Sequence, residues 1–193
     1  MNTKNTESQS IARAPAVALV VVFGCAAQLS TEQLADATSR DCEAEVTGDL
    51  AEREAAMLAW IEASGRTVQE RAHGRGYTVL PGRLLLPQGY ATRPLTSRVA
   101  SLEHEAVHVC RSGDRRIAWT LAYALDASVR LREEVAGIVA QGAEAYRQGR
   151  DGGELMRAKV EAMGERYHLR LDPQWVRDTL MPAMERAARE GER

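Results

Sequence analysis

The sequence predicts a mostly helical α+β fold, and three observations carry that prediction. Helix-start signals and amphipathic stretches recur from residue 30 to the C-terminus. Strand-like texture is confined to a short region at about 77–86, a β-hairpin or small sheet. Directly after it comes a segment without Pro or Gly between Thr96 and Ser112, which contains His104-Glu105-Ala106-Val107-His108. A chain of 193 residues is long enough for one domain with its own core.

The elements follow in order. Residues 14–24 form an apolar run of signal-peptide length, preceded by Lys4 and Arg13 and ended by Cys25. It is too short to span a bilayer as a stable helix. Val22-Phe23-Gly24-Cys25 resembles the lipobox of bacterial lipoproteins, which implies a signal peptide over 1–24 and lipidation of Cys25. The expected location is then the bacterial cell envelope, periplasmic and lipid-anchored, with residues 25–193 as a single domain. The alternative is a cytoplasmic domain whose first element is apolar.

Ser30-Thr31-Glu32-Gln33 reads as a capping box opening a short helix. Polar residues and Gly48 break the chain before Asp49, which caps a second helix stopped at Gly65. Tyr77–Leu80 and Arg83–Leu86 are the β-like runs, bounded by Pro81-Gly82 and Pro87. Thr96 or Ser97 starts the motif helix, and Ser112-Gly113-Asp114 ends it. Residues 115–125 form a further helix. Asp126 caps a long one reaching about Gln148, and 149–153 is a loop. Helices follow at Glu154–Tyr167 and Asp172–Arg189, with Pro173 in a favourable first turn and Pro182 placed to kink or end the last one.

Composition narrows the function. A net charge of −2, with basic residues scattered along the chain, argues against a nucleic-acid partner. Three cysteines leave Cys42 and Cys110 as a candidate disulfide pair if Cys25 carries lipid. Such a bridge would pin the N-terminal region to the motif helix. Two ordinary buried thiols are the other reading.

The chemistry lies in H-E-x-x-H. On a helix His104 and His108 share one face, one turn apart, so both can reach one Zn²⁺ at about 2.0–2.1 Å. Glu105 flanks that position without ligating it, placed as the general base for a zinc-activated water. A catalytic zinc needs a third protein ligand and an open position. Glu133 is the leading candidate, because Ala136 puts a small side chain one turn on, where two helices must approach. Glu134 and Glu144 are the rivals.

These residues resemble the gluzincin metallopeptidases, in which H-E-x-x-H is followed by a Glu on a second helix, often as E-x-x-A. The resemblance covers roughly residues 77–140. It implies a zincin-like domain with its metal site within 97–140. His104, His108 and Glu133 would be the zinc ligands and Glu105 the catalytic base, with a peptide or protein as substrate. It also implies a strand before the metal helix that pairs with the substrate backbone. Tyr123, Tyr146, Tyr167 and His168 are candidates to stabilise the oxyanion. Gly137 stands where many members carry an Asp, and that departure motivates the alternative function, a non-catalytic zincin-like lipoprotein that binds a partner in the envelope. The expected membrane contact is limited to the lipid anchor at Cys25.

Overall fold

The computed structural model describes residues 27–42 and 47–190. The expectations for residues 1–24 and for lipidation of Cys25 lie outside the described residues.

The fold is α+β and mostly helical, with one small sheet. Helix α1 (Thr31–Thr38) opens on the Ser30–Gln33 capping box, and α2 (Leu50–Ala63) opens on a second box made by Asp49 and Glu52. Strand β1 (Thr67–Glu70) follows, then the hairpin of β2 (Thr78–Leu80) and β3 (Arg83–Leu86). The sheet order is β1-β3-β2, with β1 parallel and β2 antiparallel to the central β3. Strand β1 has a single apolar residue, Val68, and lies on an edge with three of its four residues exposed. Its polar texture therefore hides it from a hydrophobicity pattern.

Helix α3 (Leu95–Ser112) carries the H-E-x-x-H and stops at Gly113, whose φ of 43° lies in the left-handed region. Helices α4 (Arg116–Leu125), α5 (Ala127–Arg147) and α6 (Gly152–Arg166) follow. A helical turn at Pro173–Trp175 leads through a π-helical turn, Val176–Leu180, into α7 (Met181–Glu190). Pro182 does not end that last run of helix; the π turn lies directly before it, so the α-helical ladder is broken next to the residue that lacks an N–H.

Among the described residues the core has two large apolar clusters and a small one, Val107, Ala136 and Ala140, between α3 and α5. One large cluster packs α2 and the sheet against α3 through Met57, Ile61, Leu84, Val99 and Leu102. The other gathers α1, α6 and α7 around α5 through Leu131, Val135, Met156, Leu180 and Met184. Helices α3 and α5 lie side by side between them. From Glu133 to Tyr146 every residue of α5 is buried, which small residues such as Gly137, Ala140 and Gly142 allow by letting neighbouring elements close in.

The seam between α2, α3 and α5 is sealed by charge. The Arg53 guanidinium bonds Glu144, including Oε1 at 2.9 Å, and reaches Glu103 Oε1 at 3.2 Å. Arg147 bonds Glu144 at 2.9 Å as well. Glu144 is wholly buried in this network, so it serves packing and not a metal. Cys42 and Cys110 form a disulfide with Cα atoms 5.6 Å apart, tying the segment after α1 to the last turn of α3. No helix among the described residues is long and apolar enough to cross a membrane.

Candidate metal centre

The spacing of His104 and His108 on α3 sets their rings one turn apart and edge to face, centroids 4.8 Å from each other. Their Nε2 atoms converge to 3.1 Å. Glu134 of α5 completes the group, with Oε2 3.7 Å from His104 Nε2 and Oε1 3.8 Å from His108 Nε2. One donor atom from each of the three lies within 4.8 Å of the others, so the cluster could hold a metal ion.

Glu133, the expected third ligand, is elsewhere. It is almost wholly buried and accepts from Arg111 Nε at 2.9 Å, with Arg132 3.2 Å from its other oxygen. Arg111 also reaches Asp36, so Glu133 helps to lock α1, α3 and α5 together. Glu134, one residue along the helix, takes the place expected of Glu133, and helix phase is the reason. Adjacent positions differ by about 100°, so only one of two tandem glutamates can face α3 at the height of the histidines. Glu134, Ile138 and Gln141 share the side that lines the cleft. The small residue that matters is likewise Gly137 and not Ala136. A Cβ at Gly137 would stand 2.7 Å from Cε1 of His104. The pattern E-x-x-small occurs twice in register, and the row with the smaller partner, Glu134 and Gly137, is the one that faces the histidines.

Electrostatics favour metal-ready forms. Burial, then His108, pushes His104 down to about 3, with Glu134 pulling the other way. Burial also lowers His108. Both imidazoles are therefore neutral at neutral pH, with lone pairs available to a cation. Burial pushes Glu134 up, and positive charge on His104 or His108, then hydrogen bonds from the Tyr123 and Tyr167 hydroxyls, pull it below the ordinary carboxylate value; with both imidazoles neutral, only the hydroxyls act in that direction. Tyr123 donates to Glu134 Oε1, and Tyr167 donates to the same atom at 3.1 Å.

Two neutral imidazoles and one carboxylate are a donor set used by catalytic zinc. Among the described residues the buried Nδ1 atoms of both histidines have no hydrogen-bond partner, and packing sets their orientation. His104 rests against Gly137, while His108 lies 5.6 Å from Trp119 and 6.0 Å from Tyr123, which stack on each other at 5.2 Å. Helix α4 supplies that aromatic wall, which no spacing rule identified in advance.

Glu105 is buried beside the cluster and lines the same cleft, of about 550 Å³. Burial, then Glu134, raises its carboxyl to about 8, and Lys159 and Arg166 oppose the shift. Of the oxyanion candidates, Tyr123 and Tyr167 lie in the cleft. Tyr146 instead packs in the α5–α6–α7 core beneath Arg189, and His168 lies outside the cleft wall. Comparison with known proteins finds no matching family model, curated protein or solved structure.

Proposed function

We propose that the chain is a zinc-dependent peptidase of the gluzincin kind with a zincin-like fold, holding its metal through His104, His108 and Glu134. The reading rests on one observation: these three side chains converge in a cleft that also holds Glu105. Zinc bound there supplies Lewis acidity, toward a peptide carbonyl and toward water. Glu105 takes the proton from the attacking water and returns it to the leaving amine nitrogen. Its side chain is buried in the cleft beside the two histidines, where a group acting on water at that metal has to stand. Tyr123 and Tyr167 hold Glu134 in place through hydrogen bonds. The substrate backbone runs along β2, an edge strand whose Thr78 and Val79 line the cleft. The Cys42–Cys110 disulfide supports an oxidising location, in keeping with export and a tether at Cys25.

Zinc content and hydrolysis of an internally quenched peptide, measured on the chain and on Glu105→Gln, test this. The expected result is about one zinc per chain in both. Turnover should fall by about 10²-fold or more in the variant. Full zinc content without turnover in the parent would favour the non-catalytic binding module. A folded chain that takes up no zinc would overturn both.

A further inference from the structure

The cleft is lined by five basic side chains, Arg75, Arg93, Arg150, Lys159 and Arg166, and by two carboxylates, Glu105 and Glu134. That is a local reversal in a chain of net charge −2. Among the described residues, none of the five forms an ion pair, whereas Arg53, Arg98, Arg111, Arg132 and Arg147 all do. Arg93 donates only to the Arg75 carbonyl, at 2.9 Å, and Arg150 only to the Gln148 amide oxygen, at 3.5 Å.

The cations stand on two walls. Arg75 and Arg93 flank the hairpin, on the side of the β2 edge. Lys159 and Arg166 lie seven residues apart on α6, with Ala162 between them, and all three line the cleft, so one face of this helix runs along it. Arg150 precedes the same helix. An extended chain pairing with β2 would pass between the two walls, with its side chains pointing alternately away from the sheet.

We propose that the cleft selects peptide segments rich in Asp or Glu, with Lys159 and Arg166 as the main selecting residues. This rests on the peptidase reading for the role of the cleft, but its test does not need turnover. Lys159 and Arg166 also act on Glu105 inside the cleft, and Arg166 on the Tyr167 hydroxyl, but five cations outnumber two carboxylates there, and such a surplus in a concave surface raises the local concentration of acidic segments and rejects basic ones.

The test uses the full chain as the zinc-loaded Glu105→Gln variant and three peptides carrying an uncharged fluorophore, Glu–Ala, Ser–Ala and Lys–Ala repeats, read by anisotropy. The Glu–Ala peptide should bind about tenfold or more tighter than the Ser–Ala peptide, the gap closing as salt is raised. Adding Lys159→Glu and Arg166→Glu should abolish the preference while zinc content and circular dichroism stay unchanged. Equal binding of all three peptides, or a preference that survives the double charge reversal, would overturn the proposal. So would oligothymidylate binding tighter than the acidic peptide, which would assign the cleft to nucleic acid. Acidic preference without hydrolysis by the parent chain would refute the peptidase reading alone. Hydrolysis by the parent without acidic preference would refute this inference alone.

Discussion

Gly137 and His104 are in direct contact across the α3–α5 interface, and the contact leaves no room for a methyl group. A Cβ on Gly137 would lie 2.7 Å from Cε1 and 2.8 Å from Cγ of the imidazole. The ring sits flush against the α5 backbone at the point where Glu134 enters from the turn before. The Gly137→Ala variant should displace His104 from its position facing Glu134. The expected result is a loss of zinc affinity of about tenfold or more, the scale seen when a ligand's orienting contacts are removed. Competition with a fluorescent chelator measures it, and unchanged affinity would mean that the ring orientation is irrelevant to the metal.

The tandem glutamates should separate cleanly. Glu134→Gln should abolish tight zinc binding with the fold retained. Glu133→Gln should keep the metal and lose stability, by about 1–3 kcal/mol, since Arg111 would retain only Asp36 as an ionised partner. Metal content and urea unfolding on the two variants read both effects. Metal loss confined to the Glu133 variant would restore Glu133 as ligand.

Removing the donors to Glu134 gives a graded effect. Tyr123→Phe and Tyr167→Phe each delete one hydroxyl from Oε1. Each should weaken zinc binding by about ten- to a hundredfold. Their combination is expected to be non-additive, because both act on one oxygen atom.

The buried charges on the other side of α3 make a prediction about stability alone. Arg53→Ala removes the guanidinium that bridges Glu103 and Glu144, leaving these buried carboxylates to Arg147 and, at Glu103, to Arg40. Such a loss should cost about 3–5 kcal/mol, seen as a lower urea midpoint. A midpoint close to that of the parent would show that the pair contributes little.

Asp126 makes the start of α5 sensitive to pH. It accepts from the Ser128 hydroxyl at 2.7 Å and the Ser128 amide at 2.8 Å, and these bonds hold its carboxyl below 3.8. Because folding lowers this pKa, the cap contributes fully above the unfolded value. The contribution is lost as pH falls through the folded one. Asp126→Ala should therefore cost about 1 kcal/mol at pH 7, and the gap between variant and parent should narrow below about pH 4. A constant gap down to strongly acid pH would mean that the carboxylate charge does not matter.

Much of this molecule is readable along the chain. The Ser30 and Asp126 caps, the Pro81-Gly82 hairpin and the placement of His104 and His108 on one helix face all depend on residues within a few positions of each other. Short-range chemistry of that kind is written directly in the order of residues. Tertiary structure decided the rest. Strand β1 exists because β3 offers it a parallel edge, and its own four residues carry almost no apolar signal. The sequence left Cys42 and Cys110 open between a bridge and two thiols, and only the approach of the segment after α1 to α3 settles it. Tyr123, Tyr167 and Trp119 reach the cluster from α4 and the end of α6, whose positions no local spacing encodes. The choice of Glu134 over Glu133 shows the physical reason most clearly. Two identical neighbours on a helix differ by about 100° in direction, and which of them meets the histidines depends on how α5 is rotated against α3. That rotation is set by the close contact of Gly137 with His104 and by the hold of Arg111 on Glu133, contacts between residues 22 or more positions apart.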